Sequence, residues 1–318
     1  MERLLSFLLD RKIAYEERVS LKKKTWIKTG GECACWINPH TVDELLEVGR
    51  YLYSNKIPFE VVGHTSNIFF HSTYLPQVVV STVKVCNYEI DGDVITCDCG
   101  VPVVKLAKEC LSSGYAGFYG LVGLPGTVAA SVYGNAGCFD CSISSMLVSV
   151  EVLLPDVTVR TFSKEECGFG RRTSVFKRKE VEGIILSVKL KIEHAEDIAK
   201  EYEKSEKTVE YRRTKQEKPS WCLGSVYGSM VMKRNVRNIL ALAVSTVAAT
   251  LHISTKRKAM KRTLLALYGF HNLDSYVSDY NVNTFVWRDE NAEQMFDRYK
   301  HFMSKVFNNL VLEIEERI

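Results

Sequence analysis

Between Gly117 and Gly137 the chain reads GFYGLVGLPGTVAASVYGNAG. Glycine admits positive φ and lets backbone approach a ligand closely, and successive exposed amides form a concavity suited to a diphosphate. The stretch is not a P-loop, because no lysine follows the last glycine, and it is not the Rossmann G-x-G-x-x-G. A plain glycine-rich packing corner is its other reading. Upstream, Gly63-His64-Thr65-Ser66-Asn67 is a polar loop between two apolar strands, Phe59 to Val62 and Ile68 to Phe70. That position places its backbone amides at a sheet edge. Further on, Ser225 sits in a small-residue turn after Gly224. Arg172 carries a planar guanidinium able to grip a carboxylate bidentately, or to make a surface ion pair. Glu313, Glu315 and Glu316 form an acidic cluster near the C-terminus.

Cys138 and Cys141 form a C-x-x-C, a spacing for a redox pair or half a zinc site. No second C-x-x-C or H-x-x-x-H completes a metal set, so no metal is expected. Many of the ten cysteines lie in apolar runs. They read as buried reduced thiols in a reducing compartment.

The elements that would position these residues are legible in the periodicity. A short amphipathic helix is expected within Met1 to Lys12, too charged for a signal peptide. Thr41-Val42-Asp43-Glu44 is a capping-box signature. It opens a helix whose apolar positions are Val42, Leu45, Leu46, Gly49 and Leu52. Tyr88 to Cys97 predicts a hairpin turning at Asp91-Gly92-Asp93, and Val101 to Ser112 a helix closed by Gly114. Val148 to Leu154 and Val157 to Phe162 predict strands, as do the alternating Val188, Leu190 and Ile192. His194 to Tyr211 reads as a helix whose charges form a solvated face. The chain has 318 residues, 46% hydrophobic and 25% charged, with a formal charge of +4. That length suggests two or three lobes, and the charge excess is too small to imply nucleic acid. It suits an anionic small molecule or a membrane surface. No apolar run reaches the roughly 20 residues of a membrane span, so a cytoplasmic location is expected.

Taken together, the motifs resemble a known family. Gly123-Leu124-Pro125-Gly126-Thr127-Val128 followed by Asn135-Ala136-Gly137 is similar to the G-x-P-G-T-x-G-G…N-A-G signature of the UDP-N-acetylenolpyruvoylglucosamine reductase family. Thr29-Gly30-Gly31, the Gly63–Asn67 loop, Phe169 to Lys177, Gly224-Ser225-Val226-Tyr227 and Leu312-Glu313-Ile314-Glu315 resemble its other blocks, in the family order. The resemblance implies an α+β, vanillyl-alcohol oxidase/PCMH-type FAD-binding fold. It has two FAD-binding subdomains, expected over 1–80 and 81–197, and a C-terminal substrate-binding domain over 198–318. It implies non-covalent FAD held by Val62, Gly63, His64, Thr65, Ser66, Asn67, Ile68, Gly123, Pro125, Gly126, Thr127, Asn135, Ala136 and Gly137. It implies NADPH as electron donor, and a nucleotide-sugar substrate, UDP-N-acetylglucosamine enolpyruvate. Ser225 then matches the proton donor, Arg172 the arginine that polarises the enolpyruvyl carboxylate, and Glu315 the C-terminal acid. Arg171, Ser229 and Asn283 fall at substrate-binding positions. A related flavoprotein acting on another nucleotide sugar in surface-polysaccharide assembly, and a non-catalytic protein keeping the fold, are the other readings.

The departures concentrate toward the C-terminus. Gly228-Ser229-Met230 stands where the family has K-N-P, Asn281 where it has histidine, and Arg171 where it has tyrosine. His64 and Thr65 replace glycine or small residues, and FAD is expected to fit with those side chains pointing outward. Residues 233–276 are unlike the family's short connection. Within them Ile239 to Ile253 is apolar and bracketed by basic residues. That segment reads either as a core helix of the third lobe, or as an interfacial helix giving peripheral membrane contact through 233–262.

Overall fold

The computed structural model describes residues 1–218 and 220–318. The chain forms two units, residues 1–66 with 72–210, and residues 67–71 with 211–318.

In the first unit the centre of one sheet is Val78–Ser81, three valines and a serine, buried at every position. It pairs in parallel with Glu32–Asn38 on one side and Phe59–Val62 on the other, and Ala14–Ser20 closes the far edge antiparallel to Glu32–Asn38. A strand buried on both faces needs helices over it. Glu2–Asp10 supplies Leu4 and Leu8, and Val42–Ser54 supplies Leu45, Val48 and Leu52, to a core with Ile37, Val78 and Val80. Gly49 belongs to that packing: a Cβ there would lie 2.5 Å from a Leu153 methyl.

The second sheet has five antiparallel strands in the order Val159–Ser163, Leu147–Leu153, Ile184–Lys191, Val94–Asp98 and Tyr88–Asp91. Its last hairpin turns at Asp91-Gly92-Asp93, with Gly92 at φ +58°. The helices Val103–Ser112 and Val128–Tyr133 cover it, burying Leu106, Cys110, Val128 and Val132 against Ile95, Val150, Val188 and Leu190. The ten cysteines are free thiols, eight of them buried.

The second unit is built on aromatic packing. Phe69, Phe285, Phe296 and Tyr299 are fully buried, and the Phe285 and Phe296 rings meet edge-on at 5.1 Å. Tyr227–Met232 pairs antiparallel with Phe307–Leu312, and Ile68–Phe70 pairs in parallel with Glu315–Arg317. The helices are Val236–Thr250, Lys256–Tyr268 and Ala292–Val306. The expectation of a core helix in the apolar run is overturned. Val236–Thr250 buries only Asn238, Ala241 and Ser245, and its large aliphatic side chains are exposed.

No helix among the described residues is long and apolar enough to cross a membrane.

Candidate functional site

In the first unit the two glycine-containing motifs meet. A Cβ on Gly63 would stand 2.8 Å from the Thr127 hydroxyl, and one on Gly126 would stand 3.5 Å from the Ser66 hydroxyl. Gly126 has φ +131°, a conformation open to glycine and strained for any side chain. Val62 ends its strand buried, and its carbonyl accepts from the Thr82 amide at 2.9 Å. Thr127 caps Val128–Tyr133, its hydroxyl accepting from the Ala130 amide at 3.3 Å. Gly123 and Pro125 lead into this turn, and the Gly126 carbonyl accepts from the Val103 amide at 3.1 Å. His64 is half-buried. Thr65 does not point outward: it is buried at φ +54°, and its hydroxyl accepts from the Trp26 amide at 2.8 Å. A β-branched residue is strained there, which accounts for glycine or a small residue in the motif it resembles. The hydrogen bond to Trp26 offsets the strain.

At the other end of the glycine-rich run, Asn135 has φ +43°. Its amide nitrogen donates to the Gly170 carbonyl at 2.8 Å. Gly170 and Thr173 bridge a tight turn with Arg171 and Arg172 at its tip, Arg172 at φ +56°. The Ser174 hydroxyl donates to the Tyr133 carbonyl at 2.7 Å. The arginine turn is thus tied twice to the glycine-rich run. Ala136 is fixed through its backbone to Ser131 and Ile143. Gly137 starts the short hairpin Gly137–Cys138 and Cys141–Ser142, so the C-x-x-C closes a two-residue turn.

Sequence reasoning missed one residue here. Glu201, in the charged helix Ile198–Lys215, is buried, and its carboxylate accepts from the Gly117 amide at 3.0 Å and pairs with Lys204 at 2.8 Å. The solvated-face reading of this helix therefore fails at Glu201. Nothing in the local sequence separates it from the surrounding charges.

In the second unit Ser225 is half-buried and precedes the strand Tyr227–Met232. Asn283 sets that backbone. Its side-chain nitrogen donates to the Tyr227 carbonyl at 2.7 Å, its oxygen accepts from the Tyr227 amide at 3.0 Å, and its carbonyl accepts from the Val226 amide at 2.8 Å. The Asn281 side chain accepts from the Asn283 amide at 3.0 Å, and the Ser278 hydroxyl from the Tyr280 amide at 3.1 Å. These side chains are spent on turn geometry. Ser229 is exposed, in an irregular register against Val311. Burial pushes the Tyr227 phenol up to about 12, and burial also raises the Cys222 thiol.

Among the acids, the Glu313 amide donates to the Val226 carbonyl at 2.8 Å, and its carbonyl accepts from the Asn67 side chain at 3.0 Å. Glu315 is registered against Ile68 and lies 3.5 Å from Arg317. Glu316 is nearly buried and pairs with Lys300 at 3.1 Å. Within Glu315–Arg317, alternation puts Glu315 and Glu316 on opposite faces, and Glu313 precedes that strand.

The first unit fits a flavin dinucleotide by an independent sign. The Oδ1 of Asn135 and the Oγ1 of Thr29 are buried and have no hydrogen-bond partner among the described residues. A buried polar atom left unpaired costs about 1–3 kcal/mol, and both belong to motif segments beside a glycine cradle.

Residues 33–163 match a family described as FAD binding domain. Fold and site together define an FAD-dependent oxidoreductase. The chain is 30% identical over 298 residues to the UDP-N-acetylenolpyruvoylglucosamine reductase of Halalkalibacterium halodurans, covering 89% of this chain and 96% of that one. It is 30% identical over 229 residues to the enzyme of the same name from Bacillus velezensis, covering 71% and 75% respectively. The chain belongs to the UDP-N-acetylenolpyruvoylglucosamine reductase family. The fold is similar to that of UDP-N-acetylenolpyruvylglucosamine reductase from Thermus caldophilus, with a TM-score of 0.67 at 20% identity over 96% of this chain and 100% of the other.

Proposed function

We propose that the protein reduces the enolpyruvyl ether of UDP-N-acetylenolpyruvoylglucosamine to the lactyl ether, with NADPH as donor. The observation that carries this reading is the meeting of Gly63 and Ser66 with Thr127 and Gly126, beside an unsatisfied Asn135 oxygen. Gly63, Ser66, Gly126, Thr127 and Asn135 would hold the FAD diphosphate and its neighbouring groups, with Val62, His64, Thr65, Gly123, Pro125, Ala136 and Gly137 shaping the two loops. Asn67 and Ile68 continue the first loop. FAD, when bound, supplies the chemistry of relaying a hydride from the nicotinamide to the vinyl carbon.

The remaining work falls to this chain's side chains. Reduction of the double bond needs a proton on the carbon next to the substrate carboxylate, and the Ser225 hydroxyl delivers it. Arg172 grips that carboxylate and stabilises the charge that grows on it, Arg171 adds positive charge, and Glu315 completes the acid–base set. Asn283 is a positioning residue, holding the backbone that presents Ser225. Residues 198–318 supply the substrate-binding domain, and Ser229 lies at its exposed edge.

The test is rapid mixing of the pre-reduced flavoprotein with UDP-N-acetylenolpyruvoylglucosamine. Flavin reoxidation with formation of the lactyl ether is expected. Reoxidation by oxygen alone, with the nucleotide sugar recovered unchanged, would overturn the assignment of substrate.

A further inference from the structure

The helix Val236–Thr250 turns its polar side inward. Asn238 and Ser245 are buried, and the Asn238 amide donates to the carbonyls of Lys233 at 2.8 Å and Val306 at 3.0 Å. Ile239, Leu240, Val244 and Val247 face solvent, and Leu251 and Ile253 carry the apolar face beyond the helix end, Ile253 at 74% exposure. At 100° per residue, Asn238, Ala241 and Ser245 share one side, with Leu240, Val244, Val247 and Leu251 opposite. A helix fixed this way round by its own hydrogen bonds presents a standing apolar surface, which soluble proteins seldom leave uncovered.

The charge along this segment of the chain is of one sign. Residues 233–262 hold eight Lys and Arg and no Asp or Glu, so 34 cations face 38 acids elsewhere in the chain. Lys258 and Lys261 are spent on Asp279, at 2.7 and 2.6 Å. Arg234 and Arg237 before the apolar face, and Lys256 and Arg257 after it, stay exposed. Lys256 and Arg257 also open the helix Lys256–Tyr268, whose first turn has no acid. Positive charge there opposes the peptide dipoles, a cost that a nearby anionic surface removes.

We propose that the hairpin of these two helices docks on the surface of an anionic lipid bilayer. The apolar face of Val236–Thr250 enters the interface, and Arg234, Arg237, Lys256 and Arg257 meet the headgroups. Fifteen residues are too few to span a bilayer, so the helix lies in the plane. A second copy of the chain is a poorer occupant. Cations bracket both ends of the apolar face, so any two-fold pairing through it brings like charges together.

The experiment is co-sedimentation of the FAD-loaded full chain with phosphatidylcholine vesicles and with vesicles containing phosphatidylglycerol. Binding to the anionic vesicles is expected to fall with salt. The doubly substituted L240S/L251S should bind tenfold or more weakly. Both positions are exposed, so flavin absorbance should be kept. K256E/R257E should also lose tenfold or more, since each basic residue near an anionic surface contributes about fivefold; it carries the test if the first variant loses its flavin. Absence of phosphatidylglycerol-dependent binding at low salt would overturn the proposal. So would equal binding to neutral vesicles. A concentration-dependent dimer, dissolved by L240S/L251S without any vesicle binding, would overturn it in favour of self-association.

Discussion

The side-chain nitrogen of Asn135 donates to the Gly170 carbonyl at 2.8 Å while its buried side-chain oxygen has no partner among the described residues. One amide thus joins the glycine-rich run to the Arg171–Arg172 turn and leaves an acceptor for a ligand. Asn135→Gly suits the φ of +43° and removes both functions. FAD affinity is expected to fall about tenfold or more, in line with about 1–3 kcal/mol for a lost buried hydrogen bond. Fluorescence titration of the apoprotein with FAD measures it, and unchanged affinity would show that the oxygen is not a flavin ligand.

Gly126→Val should remove FAD more completely. It places a β-branched side chain at φ +131°, where the Cβ already stands 3.5 Å from Ser66. Purified variant that is folded by circular dichroism should carry little flavin absorbance. Full occupancy would detach this loop from the cofactor.

Ser225→Ala is expected to leave flavin reduction by NADPH near normal and to slow reoxidation by substrate roughly a hundredfold or more, the scale of a lost general acid. Asn283→Ala should slow the same half-reaction and also lower stability, because it strips two buried hydrogen bonds from Tyr227. Stopped-flow traces of the two half-reactions separate these effects. A Ser225→Ala enzyme with unchanged reoxidation would require another proton source.

Lys261 is almost wholly buried, donates to the carbonyls of Asp274 and Val277, and pairs with Asp279 at 2.6 Å. Lys261→Met should destabilise the protein by about 1–3 kcal/mol, since the Asp274 and Val277 carbonyls lose their buried donor. Chemical denaturation monitored by tryptophan fluorescence reads it, and a loss below about 1 kcal/mol would count against the pairing.

The same cluster gives a pH dependence. Burial pushes the Asp279 carboxyl up, but the hydrogen bonds from Lys258 and Lys261 outweigh it and hold the group below its ordinary value. A depressed folded pKa adds stability above the unfolded pKa of about 3.9 and loses it as pH falls through the folded value. Asp279 is partly exposed, so the contribution is about 1 kcal/mol or less. Wild type should lose stability below about pH 4 more steeply than Asp279→Asn, and parallel curves would refute the pairing.

Local chemistry made much of the fold readable. The strands Phe59–Val62 and Ile68–Phe70 fall where their composition places them. Thr41 caps its helix by accepting from the Glu44 amide at 3.1 Å, although the Glu44 carboxylate reaches back to His40 rather than Thr41. The two cofactor motifs were readable because a close backbone approach demands glycine, and they lie together. Distant partners hid the rest. Glu201 looks like its charged neighbours until Gly117 donates to it. The outward turn of Val236–Thr250 was invisible because Asn238 takes one of its acceptors from Val306, far along the chain. Asn283 reads as a substrate contact by position, yet its side chain orders the backbone, as does that of Asn281.

The parallel pairing of Ile68–Phe70 with Glu315–Arg317, reinforced by the Asn67–Glu313 bond across a separation of 246 residues, has a consequence for synthesis. During translation the first unit can gather nearly all its strands and helices while Ile68, Phe69 and Phe70 wait for a partner still to be made. An apolar edge left open invites pairing with other chains. Expression at lower temperature, or with a holdase chaperone present, should therefore raise the soluble yield of the full chain more than that of a variant in which Phe69 and Phe70 are made polar, even though that variant is the less stable of the two once folded.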